Sequence, residues 1–276
     1  MVNVAVVQFA PGISKTDNHA QIAALVTEAA TLGARVVVLP EYALFTAPAM
    51  DKRFLQTAEH LDGPFVALLS GLAIQHGIHV VAGMNEDLDS DSHLSNTLVA
   101  VGPDGTIEAV YRKLHLYDAF GYTESELVRP GDIENPETFK VDGLTFGMQT
   151  CYDLRFPEVT RRIVDAGADV LLLPAEWVPG PLKEDHWLTL LRARAIENTI
   201  YVAAADQSAP AGSGNSIIVD PMGVVLAALG ERTAVATAQL TTDRLAEVRA
   251  KNPALALRRF TTTPLDSTPA PEAALV

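Results

Sequence analysis

Short apolar runs alternate along the chain with stretches whose apolar residues recur at helical spacing. Residues 2–9 are almost continuously apolar, the pattern of a strand buried on both faces. Ile22, Leu25, Val26, Ala29 and Leu32 then lie along one stripe, with Thr16-Asp17 able to cap a helix and Gly33 able to end it. Residues 36–39 predict a second buried strand, closed by Pro40-Glu41. Phe65, Leu68, Leu69 and Leu72 predict a helix over residues 64–76, and a strand follows over 78–84. Gly102-Pro103-Asp104-Gly105 reads as a hairpin turn between strands over 97–101 and 106–112.

The same order returns in the second half. Residues 167–174 echo 33–40, residues 198–203 echo 77–82, and residues 215–219 echo 96–100. The pattern reads as an approximate internal duplication of a strand–helix–strand–helix–hairpin unit. Strands joined through helices are parallel, and each sheet carries its amphipathic helices on one face. The strands are apolar without alternation, so the other face is apolar too. Two such sheets bury those faces against each other, which predicts an α+β or α/β fold: a four-layer αββα sandwich of two sheets with parallel cores. A helix over 243–251 ends this unit. The stretch after it, with Pro253, Pro264, Pro269 and Pro271, has no apolar period and reads as extended or disordered. We therefore divide the chain into a domain over residues 1–251 and a Pro-rich tail over 252–276.

Composition narrows the function. The 276 residues are 48% hydrophobic and 20% charged, an ordinary soluble balance, with a net charge of −14. No basic patch appears, which argues against nucleic-acid binding. Residues 1–9 lack a basic leader and are too short to span a membrane. A single cysteine rules out an intrachain disulfide and suits a reducing, cytoplasmic setting.

That cysteine lies in the most informative stretch, Gly147-Met148-Gln149-Thr150-Cys151-Tyr152-Asp153-Leu154-Arg155-Phe156-Pro157-Glu158. A strand-like run leads in and Pro157-Glu158 opens a helix, so Cys151 falls in a sharp strand-to-helix turn. Such a turn raises a side chain clear of the sheet, and a helix N-terminus eases thiol ionisation. The plain alternative is a buried cysteine acting as a small hydrophobe. Glu41 follows a strand and suits a general base; it also suits an exposed strand end. Lys113 suits a cation beside an oxyanion, or a surface lysine at a hairpin end. Glu124 sits in a loop and His115 suits local packing. No His, Cys, Asp or Glu cluster has metal-ligand spacing, and Gly212-Ser213-Gly214 lacks the Lys and helix of a phosphate loop.

Taken together, Leu39-Pro40-Glu41, Tyr111-Arg112-Lys113-Leu114-His115-Leu116 and the Cys151 stretch closely resemble the three signatures of the nitrilase superfamily of carbon–nitrogen hydrolases. Arg194-Ala195-Ile196-Glu197-Asn198 and Asp220-Pro221-Met222-Gly223 extend the likeness, which runs from about Val2 to Arg259. The resemblance implies a Glu41–Lys113–Cys151 triad, with Glu124 as a second glutamate. It implies that Lys113 and the Tyr152 N–H hold an oxyanion and that Trp177 contacts substrate. Arg155 matches an arginine that grips the substrate carboxylate in the resembling carbamoyl hydrolases; it also suits a helix-start arginine paired with Glu158 or Asp153. Its branch with the strongest likeness is the Nit type, ω-amidases and deaminated-glutathione amidases, which act on small amides without metal or organic cofactor. It also implies a homodimer or higher even oligomer. The alternatives are an N-carbamoyl-amino-acid hydrolase and a binding protein that keeps the fold without turnover. Asp206, where relatives usually have Asn, and Gly214-Asn215-Ser216 depart from the pattern.

Overall fold

The computed structural model describes residues 1–265. Its first half holds β1 (Val2–Gln8), α1 (Lys15–Thr31), β2 (Val36–Val38), α2 (Arg53–Thr57), α3 (Pro64–His76), β3 (His79–Asp87), β4 (Leu94–Val101) and β5 (Ile107–Arg112). Its second half holds β6 (Thr138–Val141), β7 (Leu144–Met148), α4 (Pro157–Asp165), β8 (Val170–Ala175), α5 (Lys183–Asn198) and β9 (Tyr201–Asp206). β10 (Ile217–Val219), β11 (Val225–Ala228), β12 (Ala234–Leu240) and α6 (Thr242–Lys251) complete it.

The strands make two six-stranded sheets, ordered β12-β1-β2-β3-β4-β5 and β6-β7-β8-β9-β10-β11. In each, three central strands run parallel and the flanking strands pair antiparallel. The echoes in sequence correspond to places in the sheets: β2 with β8, β3 with β9 and β4 with β10.

Continuous apolar strands have a direct cause here, because each strand feeds two cores. Val2, Val4 and Val6 join Phe146, Met148, Val170 and Leu172 between the sheets. Ala5, Val7 and Phe9 face the other way, against Ile22, Val26 and Leu69 of α1 and α3. Leu171 and Leu173 likewise meet Val159, Ile163 and Leu191 of α4 and α5. This is the expected αββα stack, and each fully buried Val or Leu contributes about 1.5–3 kcal/mol.

Some element ends differ from the sequence reading. α1 is capped by Ser14, not by Thr16-Asp17: the Ser14 hydroxyl accepts the Asp17 N–H at 3.3 Å. Asp17 instead occupies the first turn, where an acid complements the helix dipole. α6 begins one residue early, where Thr241 accepts the Arg244 N–H at 3.1 Å. Residues 252–265 contain a turn over 254–257 and no strand or helix. Pro269 and Pro271 of the tail lie outside the described residues.

Candidate active site

Three segments distant in sequence end at one mouth. Glu41 follows β2, Lys113 follows β5, and Cys151 follows β7. Cys151 has a φ of +41° and Tyr42, next to Glu41, a φ of +53°. Both are non-glycine residues in the left-handed region, a strain that persists only where surrounding structure over-determines it. For Cys151 that structure is visible. Asp153 accepts the Tyr111 hydroxyl (2.7 Å) and the His115 N–H (2.9 Å), which ties the turn to both sides of Lys113. The buried Arg194 donates to the Leu154 carbonyl at 2.6 Å. His115, stacked on Phe156 at 3.6 Å, packs locally as its sequence context suggested.

Glu41, Lys113 and Glu124 form one buried cluster, respectively 1%, 2% and 5% exposed. The Lys113 ammonium donates to Glu41 Oε1 at 2.9 Å and to Glu124 Oε2 at 2.9 Å. Asn96 bridges the same two acids, donating at 2.6 Å to Glu41 and 3.1 Å to Glu124. Glu41 Oε2 accepts the Glu176 N–H at 2.7 Å. Glu124 also accepts the Tyr42 hydroxyl (2.7 Å) and the Tyr117 N–H (2.6 Å). Burial opposes the Lys113 charge, but Glu124 and Glu41 outweigh it and hold the ammonium well above the usual lysine value. Burial likewise opposes the Glu124 charge; Lys113 and the hydrogen bonds hold that carboxyl below its usual value.

Cys151 behaves differently from the sequence expectation. It opens a 3₁₀ turn over Cys151–Arg155, and α4 starts only at Pro157. Burial, then the negative charge of Glu41, push the thiol well above its usual value, and Lys113 only partly opposes them. The resting group is a protonated thiol, its Sγ 3.5 Å from the Glu176 carbonyl. The eased ionisation expected at a helix N-terminus is therefore corrected: α4 begins only at Pro157, and burial and the Glu41 charge disfavour the thiolate. Asp206 is buried and accepts from Trp177 N (2.7 Å), Gln207 N (2.8 Å) and Ser213 Oγ (2.9 Å). Burial pushes its carboxyl up despite these bonds, so this departure from Asn moves toward the uncharged form.

These groups open on a cavity of about 1200 Å³. Tyr152 and Trp177 line it. The Tyr152 N–H has no acceptor among the described residues. The Trp177 indole N–H is spent on the Lys183 carbonyl at 2.7 Å, so Trp177 offers the cavity an apolar face. Arg155 is not among the lining residues. Its guanidinium lies 4.8 Å from the Trp177 ring centroid and 5.7 Å from that of Phe120. The cation on this part of the wall is Lys183.

Sequence reasoning missed Tyr42, Asn96, Glu176, Lys183 and Gln207. A signal for Asn96 was present: Ser95-Asn96-Thr97 interrupts an otherwise apolar, fully buried β4. Lys183 also broke a local rule, as a cation on the first residue of a helix. Gln207, which donates to the Glu41 carbonyl at 3.0 Å, gave no such signal.

The αββα fold with an acid–lysine–thiol cluster at its strand ends defines a class of hydrolase, and the match to known proteins is direct. The carbon-nitrogen hydrolase family model matches residues 3–250, and the chain belongs to that family. It is 40% identical over 258 residues to the deaminated glutathione amidase of Escherichia coli O157:H7, covering 93% of this chain and 97% of that one. It is 34% identical over 268 residues to human omega-amidase NIT2, covering 93% and 94%. Among solved structures, the amidase of Nesterenkonia sp. AN1, from the nitrilase superfamily, superposes with a TM-score of 0.79 at 25% identity. The likeness covers 93% of this chain and all of that one, whose active-site cysteine carries an acrylamide adduct.

Proposed function

We propose that the protein hydrolyses a small, carboxylate-bearing amide to the acid and ammonia through a thioester on Cys151. The observation that carries this reading is the meeting of Glu41, Lys113 and Cys151 at one cavity. The protonated thiol sets the order of events. Glu41 takes the thiol proton as Sγ attacks the amide carbonyl carbon, so a free thiolate is never stored. The Lys113 ammonium and the Tyr152 N–H hold the oxyanion. Glu41 passes its proton to the amide nitrogen, the C–N bond breaks and ammonia leaves. Water then gives a proton to Glu41 and its oxygen attacks the thioester; Sγ leaves and recovers the proton, and the acid is released. Glu124 keeps Lys113 charged and in place.

The relatives named as amidases support the substrate class. The folded unit is residues 1–251, with 252–276 as its tail, in keeping with the family match over 3–250. A single cysteine supports a cytosolic setting, and no helix among the described residues is long and apolar enough to cross a membrane. Exposed Leu257, Phe260 and Leu265 on the segment after α6 support a homodimer in which the tail packs on a partner. Light scattering that finds a monomer at micromolar concentration counts against that assembly.

The test of activity is ammonia release across ω-amides, neutral aliphatic amides, carbamoyl amino acids and nitriles. Release from ω-amides first is the expected result. Carbon dioxide released with ammonia would instead assign a carbamoyl substrate, and no release from any of them overturns the reading.

A further inference from the structure

Lys183 is 6% exposed, yet it lines the cavity that holds Cys151. The cavity's other cations have carboxylate partners: Lys113 has Glu41 and Glu124, and Arg53 has Asp51 at 2.7 Å. Lys183 has no carboxylate within salt-bridge distance among the described residues. Its Nζ donates to the Tyr117 hydroxyl at 2.9 Å and lies 4.6 Å from the Phe120 ring centroid, 4.9 Å from Tyr117 and 5.1 Å from Trp177. Burial, then the neighbouring Cys151, push the Tyr117 hydroxyl up to about 12, so it remains a neutral phenol and supplies no counter-charge.

The surroundings add positive potential. Burial and then the nearby Arg155 hold the Lys183 ammonium below the usual lysine value, against the opposing pull of Cys151 and Glu184. Lys183 is also the first residue of the 16-residue α5, whose dipole is positive at that end. The residue before it, Leu182, is in the left-handed region at a φ of +59°, the region that Tyr42 also occupies beside Glu41. A buried, unpaired ammonium is costly, and here it occurs in a chain of net charge −14 with acids to spare. An ammonium has three donors, and Tyr117 takes one. The other two are available to a ligand in the cavity.

We infer that Lys183 is the specificity-determining contact for the substrate carboxylate, which selects ω-amides of short dicarboxylic acids whose amide carbon lies at Cys151. This deepens the amidase reading and rests on it. It moves the carboxylate contact from Arg155, where the sequence pointed, to the cation on the cavity wall. Arg155 acts as a second positive charge over Trp177.

The experiment compares three amides of equal length on the full chain: glutaramate (anionic), pentanamide (neutral) and 5-aminopentanamide (cationic). Wild type is expected to prefer glutaramate. Lys183→Met should lose about 10- to 100-fold in kcat/KM on glutaramate, mainly through KM, and far less on pentanamide. Lys183→Arg should keep the anionic preference, and Lys183→Glu should turn it toward 5-aminopentanamide. A parallel measurement needs no turnover: glutarate should slow alkylation of Cys151 by iodoacetamide in wild type and not in Lys183→Met. An equal loss on all three amides, equal protection by glutarate in both proteins, or no wild-type preference for glutaramate overturns the inference. If wild type turns over none of the amides, the amidase reading falls, while glutarate protection still decides whether Lys183 binds a carboxylate.

Discussion

The two sides of the cavity handle charge in opposite ways. On one side, Glu41, Lys113, Glu124 and Asn96 hydrogen-bond one another at 2.6–3.1 Å with almost no exposure. On the other, Lys183 and Arg155 stand among Tyr117, Phe120 and Trp177 with no carboxylate within salt-bridge distance of either among the described residues. A paired, buried network is already organised for its task before substrate arrives. An unpaired cation in an aromatic wall is incomplete until an anion arrives. The difference separates chemistry from selection: variants on the first side should lower all substrates alike, and variants on the second should change their ranking.

The largest expected effect is Cys151→Ala, which should abolish ammonia release while circular dichroism stays native. Substantial residual release from the folded variant would sink the triad. Next is Glu41→Gln, which should cost about 100- to 10,000-fold in turnover as the general base is lost. The sign for the thiol is the reverse. Glu41 raises the Cys151 pKa and Lys113 lowers it, so removing the Glu41 charge should move alkylation by iodoacetamide to lower pH. If the alkylation profile of Glu41→Gln moves to higher pH or stays fixed, Glu41 does not face the thiol as a charge.

Lys113→Met should cost about 100- to 1000-fold in turnover and shift the alkylation profile to higher pH. It also leaves two buried carboxylates without a counter-charge, which should destabilise the fold by about 3–5 kcal/mol in urea melts. A wild-type rate and melt would return Lys113 to the surface lysine that its hairpin position allowed. Gly83→Ala tests the backing of the same side from β3. A Cβ there would sit 2.7 Å from Glu41 Cα and 2.8 Å from Tyr42 N. Overpacking of this kind costs about 1–3 kcal/mol, and the displaced Glu41 should lower turnover on every amide tested. The smallest effect is Arg155→Lys, which keeps the charge over Trp177 and should alter the glutaramate-to-pentanamide ratio by only about twofold, well under a charged hydrogen bond. A tenfold or larger loss confined to glutaramate would restore Arg155 as the carboxylate contact.

Much of this was legible in the chain. The helix over Pro64–His76 lies where its apolar stripe put it, and it ends at Gly77, a left-handed cap at a φ of +64°. The hairpin at Gly102–Gly105 and the three signature segments also lie where patterning put them. The edge strands β6, β11 and β12 were not legible. β11 is apolar but largely exposed, and β12 is rich in Ala and only half-buried, so neither follows the pattern of a strand buried on both faces. β12 is a strand because it pairs with β1 from Val2↔Leu240 to Gln8↔Ala234, a partner more than 220 residues away.

The sequence by itself determined the helices and central strands, the duplicated order and the segments bearing Glu41, Lys113 and Cys151, because those depend on periodicity and on local turn chemistry. Tertiary structure decided the protonation of the thiol and which of two nearby cations lines the cavity. Both depend on burial and on charges brought together from separate segments, which no local pattern encodes. Arg155 is close to Cys151 in sequence and lies off the cavity wall. Lys183 is 32 positions from Cys151 in sequence and lies on it, because the β8–α5 connection returns its side chain to the strand ends.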